Sequence, residues 1–153
     1  MTPIAVIGCG NLARGDDGVG PHVVRVLLER GVGRNPAVRL LDAGTDGMAV
    51  MHAAKGCGRL VVIDAVRSGS PAGAVFELPG SELADRPAPP MTLHDFRWEH
   101  ALFAGRSMYG AAFPAEVTVL LVEAQSVGYG LELSPAVAAA AEKVVQRVER
   151  LLA

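Results

Sequence analysis

Apolar residues along the chain fall in short blocks that alternate between two periods. Pro3 to Ile7 is a short β-branched block closed by Gly8-Cys9-Gly10-Asn11, and it predicts a buried parallel strand. From Val19 the spacing turns helical: Val19, Val23, Val26 and Leu27 share a face, Pro21 suits a first turn and Gly31 a stop. Ala37 to Leu41 predicts a second strand ending at Asp42. Thr45 is the expected cap of a helix from Asp46 to Lys55, closed by Gly56. Leu60 to Ile63, ending at Asp64, predicts a third strand, and Ala74 to Leu78 a fourth. Pro79 to Pro90, rich in proline and acidic residues, reads as a loop, and Asp95 to Met108 as a helix. Val117 to Val122 predicts a fifth strand. Ser134-Pro135 opens a last helix with Val137, Val144, Val148 and Leu151 on one face.

Strands alternating with helices imply an α/β fold: a three-layer α/β/α sandwich with a twisted, mainly parallel sheet of about five strands. Right-handed crossovers gather the loops after the strands at one edge of the sheet. No linker or repeat interrupts the pattern, so residues 1–153 read as a single domain.

Composition narrows the classes. At 153 residues, 50% apolar and 20% charged, the chain is too hydrophobic to be disordered and long enough for its own core. The 14 Lys and Arg are scattered and the net charge is −2, which argues against nucleic acid. The apolar runs are too short for a membrane span, and no secretory signal is expected. Cys9 and Cys57 form neither a C-x-x-C pair nor a disulfide framework, so a reducing cytoplasm is the expectation.

Acidic residues collect where the strands end. Asp16 and Asp17 follow the first strand, Asp42 ends the second and Asp64 the third, all at the edge where open α/β sheets bind ligands. Carboxylates crowded there repel unless a cation or a shared proton relieves them. With His94 beyond the proline-rich loop, two carboxylates and one imidazole suit a transition-metal or zinc site with open positions. Aspartate at a strand end is also a common cap or turn residue. A doubled aspartate between glycines is harder to explain that way, because one cap needs one carboxylate.

Other readings are weaker. Gly8-x-Gly10, with Ala13 and Asp42, resembles a dinucleotide fingerprint, but Gly15-Asp16-Asp17-Gly18 puts negative charge where phosphate would sit. A metal- or nucleotide-binding module without catalysis is the alternative function. Cys9 lies in the same loop without an evident base, and small buried cysteines are common. Cys57 reads as inert. His22 and His52 read as surface or packing residues, and Glu99 and His100 as part of a solvated or packed helix face.

The string Gly8-Cys9-Gly10-Asn11-Leu12-Ala13-Arg14-Gly15-Asp16-Asp17-Gly18-Val19-Gly20 closely resembles the signature of the [NiFe]-hydrogenase maturation proteases. The resemblance continues through Asp42-Ala43-Gly44-Thr45-Asp46-Gly47, through Val61-Val62-Ile63-Asp64-Ala65, and to His94 and the closing strand and helix. It implies an endopeptidase that removes a C-terminal extension from a hydrogenase large-subunit precursor after nickel insertion. It places the catalytic and metal-contacting trio on Asp17, Asp64 and His94. Gly10, Asn11, Asp16, Asp42, Gly44, Thr45 and Gly47 become a substrate-positioning loop set. The metal would be the nickel of the precursor, with cadmium or zinc able to substitute in vitro, and no organic cofactor is implied. The expected partner is the nickel-loaded precursor, and a monomer is expected. Asp95-Phe96-Arg97-Trp98-Glu99-His100 is bulkier and more charged than the family's usual segment.

Overall fold

Alternate residues of one strand feed two different cores, and this organises the molecule. The computed structural model describes residues 2–84 and 97–153. In β1 (Ile4–Cys9), Ala5, Ile7 and Cys9 face one core while Val6 faces the other. The same split runs through β3 (Arg59–Val66) and β5 (Glu116–Glu123): Leu60, Val62, Val117 and Val119 pack one way, Val61, Ile63, Leu120 and Val122 the other. Strands buried on both faces are what the near-continuous apolar runs imply.

Helices α1 (Val19–Glu29) and α5 (Pro135–Leu152) cover one face through Val19, Val23, Leu27, Val137, Val144 and Val148. Helices α2 (Gly47–Ala54) and α4 (Trp98–Tyr109) cover the other through Val50, Met51, Trp98 and Leu102. This is the expected three-layer sandwich. Strand β2 (Val38–Gly44) and β4 (Val75–Pro79) close the sheet, whose order is β2-β1-β3-β5-β4. The first four are parallel; β4 runs antiparallel to β5. The chain therefore leaves β4 at the edge opposite the other strand ends, with Pro79 beside Thr118 near the start of β5.

Several expected boundaries shift. Asp42 and Asp64 lie inside β2 and β3, because pairing continues to Gly44 and Val66. Asp46, not Thr45, caps α2: its Oδ1 accepts the N–H groups of Met48 at 2.9 Å and Ala49 at 3.3 Å. Ser81–Ala84 forms a helical turn, α3, within the expected loop, where Ser81 and the acidic Glu82 suit a first turn. The rest of that loop, His94, and Asp95 and Phe96 at the start of the expected helix lie outside the described residues.

The glycines after β1 serve close packing. A Cβ on Gly20 would stand 2.4 Å from the Cys9 carbonyl oxygen and 2.5 Å from that of Ile63, so only glycine lets α1 start between β1 and β3. A 3-10 turn, Gly15–Gly18, precedes that helix. Within it Asp16 is 1% exposed. Its Oδ2 accepts the N–H of Gln125 at 2.8 Å, the N–H of Ser126 at 3.1 Å and the Ser134 hydroxyl at 2.9 Å, and its Oδ1 accepts the Ser134 N–H at 2.7 Å. Burial pushes this carboxyl up, but the Ser134, Ser126 and Gln125 donors outweigh burial and hold it below the usual carboxylate range.

Asp16→Asn should destabilise the fold by about 2–4 kcal/mol, since an amide turns an NH2 group toward donors that need an acceptor. A depressed carboxyl pKa stabilises above its unfolded value and loses that contribution as pH falls through the folded value. Urea denaturation below pH 5 should therefore show a shallower acid limb for the variant. Equal stability of the two proteins at pH 7 would contradict this role.

Candidate functional site

The carboxyl edge opens between β1 and β3, where the chain turns to opposite faces: α1 follows β1 on one side, and α4 lies on the other. Such a switch point is the usual ligand crevice of open α/β sheets. A cavity of about 30 Å3 sits there, lined by Cys9, Gly10, Asp17, Thr45, Asp64 and Trp98, with Gly44, Asp46, Gly47, Val50 and Arg97 completing the wall. A water needs roughly 10–15 Å3, so the cavity takes one ion or a water or two. It opens into a cleft of about 610 Å3 that shares Asp17, Thr45, Asp64, Arg97 and Trp98.

Each aspartate of the pair is fixed differently. The Asp17 Oδ2 accepts the Asn11 N–H at 2.8 Å, and Asn11 in turn uses its Oδ1 to accept the Ala13 N–H at 2.9 Å. Gly10, at φ 132°, permits this arrangement: a Cβ there would lie 1.9 Å from the Asp17 carbonyl oxygen. Asp64 accepts the Ala65 N–H on Oδ1 at 2.8 Å and the Trp98 indole N–H on Oδ2 at 2.9 Å. Burial pushes the Asp64 carboxyl up to about 7; Asp17 adds to the rise, while the Ala65 N–H, the Trp98 indole and Arg97 oppose it.

The remaining expected residues take distinct places. Gly44, Thr45 and Gly47 line the ion-sized cavity with Gly10. Asn11 lines the outer cleft. Asp42 is exposed, with its Oδ1 accepting the Gly44 N–H at 2.9 Å. Asp16 points away from the cavity into the β5–α5 connection, as its partners above require. His94 lies outside the described residues. His100 is buried and its Nδ1 accepts the Arg97 N–H at 3.1 Å, an N-terminal cap for α4. Among the described residues no three His, Cys, Asp or Glu side chains converge as a metal-ligand set.

Cys9 lines the cavity, but burial, reinforced by Asp64, Asp42 and Glu99, pushes its thiol far above the ordinary range. A thiol held protonated is a poor nucleophile. No phosphate cradle exists at the start of α1 either, since Gly20 is packed against the Cys9 and Ile63 carbonyls. Two carboxylates, each already holding one or two N–H donors, keep lone pairs for a cation or a water. Among the described residues the donor set is an oxygen-rich one with open positions.

Trp98, Arg97 and Arg67 line the site from outside the matched motifs, and Arg14 from within the first motif string, where no role was expected of it. Only the bulk of the Asp95–His100 string gave a signal.

A three-layer α/β/α domain with an acidic pair at its switch point defines the class, and comparison with known proteins gives the family. The sequence model of the hydrogenase maturation proteases matches residues 21–151. The hydrogenase expression/formation protein HoxM of Azotobacter vinelandii is 30% identical over 155 aligned positions, covering 94% of this chain and 73% of that protein. The hydrogenase 2 maturation protease of Escherichia coli is 27% identical, covering 95% and 87%. Among solved structures, the hydrogenase maturating endopeptidase HybD from E. coli superposes with a TM-score of 0.82 at 25% identity, covering 98% of this chain and 91% of that one. The [NiFe] hydrogenase maturation protease HybD from Thermococcus kodakarensis gives 0.79 at 26%, covering 97% and 98%. The chain belongs to the hydrogenase maturation protease family.

The raised Asp64 carboxyl has a pH signature. Between the unfolded value near 4 and about 7, the native state keeps a proton that the unfolded chain releases. Its stabilising contribution is full below that window and is lost as pH rises through it. Asp64→Asn leaves one of the two donors facing an NH2 group at every pH, but it is neutral throughout, so its stability relative to the native protein should rise by about 1–3 kcal/mol between pH 4 and pH 8. Urea midpoints across pH 4–8 measure this; a constant difference between the proteins would contradict it.

Proposed function

We propose that the chain is the endopeptidase that removes the C-terminal extension of a [NiFe]-hydrogenase large-subunit precursor after nickel insertion. The observation that carries this reading is the ion-sized cavity at the β1–β3 switch point, with Asp17 and Asp64 in its wall. The names of the relatives support a maturation protease. The nickel belongs to the substrate and serves as the recognition element. Asp17, Asp64 and His94 are the proposed contacts; His94 stands three residues before Arg97 in the sequence, and Arg97 lines the cavity. A site without thiolates and with open positions binds a metal less tightly than a closed cysteine site, as suits a cation that arrives and leaves with its protein.

Cleavage requires a water to attack the scissile carbonyl. Either the substrate's metal polarises that carbonyl, or the ionised Asp17 carboxylate takes the water's proton. Among the loop amides, those of Gly44 and Asp46 already donate to Asp42 Oδ1 and the Ala43 carbonyl. The oxyanion role therefore falls to Thr45 and Gly47. Asn11, Gly10 and Gly44 hold the loops around the pair. The chain is proposed to act in the cytoplasm as a monomer. No helix among the described residues is long and apolar enough to cross a membrane.

The deciding experiment incubates the protein with nickel-loaded and nickel-free precursor and measures the mass of the precursor C-terminus. Trimming of the loaded form alone is expected; equal trimming of both would remove the metal-recognition role, and trimming of neither would overturn the reading.

Asp17→Asn should lower the processing rate at least about 100-fold while leaving the fold intact. Processing at the native rate would make Asp17 a turn residue.

His94→Ala should abolish processing. His100→Ala should keep most of it and instead lose about 1 kcal/mol of stability, because its ring caps α4. Since a metal-binding ring must be neutral, processing should also fall as pH drops through roughly 6–7. Activity that survives in His94→Ala but is lost in His100→Ala would reverse the assignment.

A further inference from the structure

Three arginines line the outer cleft. Arg14 comes from the loop after β1, Arg67 follows the end of β3, and Arg97 precedes α4. Among the described residues none of the three is in a salt bridge, as is also true of Arg25, Arg34, Arg39, Arg106 and Arg150; what sets the three apart is that they line one cleft. Arg14 is held in place. Arg14 Nε donates to the Val127 carbonyl at 2.8 Å, and its guanidinium lies 4.8 Å from the Tyr129 ring centroid. The backbone just after Arg67 is pinned by the Ser68 N–H, which donates to Glu123 Oε2 at 2.9 Å.

The acids of the same cleft are Asp17, Asp64 and Glu99. A substrate cation seated on Asp17 and Asp64 neutralises that pair and leaves the arginines in excess. A planar guanidinium fork matches a carboxylate in both charge and shape. Leu78, Leu121 and Val66 supply apolar lining between these charges.

We infer that this cleft is a subsite for a carboxylate-bearing stretch of the substrate chain, with Arg67 as its principal contact and Arg14 and Arg97 beside it. The inference rests on the endopeptidase reading and specifies the substrate class. Arg67 lies three residues beyond Asp64.

Trp98 is the single tryptophan and lines the cleft, so its fluorescence reports occupancy. Three hexapeptides serve as probes: acetyl-Ala-Asp-Ala-Asp-Ala-Ala-amide, its Asn counterpart, and the Asn peptide with a free C-terminus. With cadmium chloride present to neutralise Asp17 and Asp64, the Asp peptide should bind at least about 10-fold more tightly than the amidated Asn peptide, with the gap narrowing as salt rises. The free-terminus peptide separates side-chain from terminal carboxylates: binding as tight as the Asp peptide would identify the chain end as the source. Arg67→Gln, with an unchanged circular dichroism spectrum, should remove the preference. Equal binding of the Asp and amidated Asn peptides, or a preference that survives Arg67→Gln, would overturn the subsite.

A charge swap extends the test to the full substrate. A precursor extension carrying lysine near the cut should show a kcat/KM about 10-fold lower than one carrying aspartate there with the native protein, and recover with Arg67→Glu. A protein that trims precursor without any such preference would overturn the subsite alone. One that prefers the Asp peptide but leaves nickel-loaded precursor intact would overturn the endopeptidase reading alone.

Discussion

The buried carboxylate of Asp16 holds the carboxyl edge together. It gathers N–H groups from Gln125, Ser126 and Ser134 and the hydroxyl of Ser134, so the loop after β1 and the approach to α5 become one unit. Asp17, the next residue, is thereby fixed with its side chain toward the cavity, where Asn11 braces it. One member of the acidic doublet is structural and fully engaged; its neighbour faces the site. A lone aspartate could not do both, because four donors saturate the first carboxylate.

The second constraint is steric. Gly20 lets α1 begin against the Cys9 and Ile63 carbonyls, and Gly10 lets the chain pass the Asp17 backbone. These approaches bring the loop after β1 within reach of Asp64 on the adjacent strand. From the opposite layer, α4 brings Trp98, whose indole N–H holds Asp64 Oδ2. The outcome is a small cavity with one braced carboxylate on each side. Burial raises the Asp64 carboxyl to about 7, so its protonation changes near neutral pH.

Much of this was legible in the sequence. The apolar blocks located all five strands: β1, β3 and β5 because strands buried on two sides read as near-continuous apolar runs, β2 and β4 because turn residues bound them. The doublet Asp16-Asp17 was recognisable as more than a cap. Strand ends were less legible: Asp42 and Asp64 looked terminal because a charged residue interrupts an apolar run, yet backbone pairing continues past both. The cap of α2 fell to Asp46 instead of Thr45, a choice between adjacent polar residues that only loop geometry makes. The antiparallel direction of β4 and the arrival of Trp98 and Arg97 at Asp64 depend on long-range packing, which no local pattern encodes. Nor does local sequence pattern show that Arg14, Arg67 and Arg97, far apart in the chain, line one cleft.

The central claim is that Asp17 and Asp64 together hold one cation at the switch point. Crystals soaked in cadmium chloride and measured at a wavelength where cadmium scatters anomalously would test it directly. The account predicts an anomalous peak in the cavity within coordination distance of both carboxylates, absent from crystals of Asp64→Asn. A peak elsewhere on the surface with none between the two aspartates, or an undiminished peak in the variant, would contradict it.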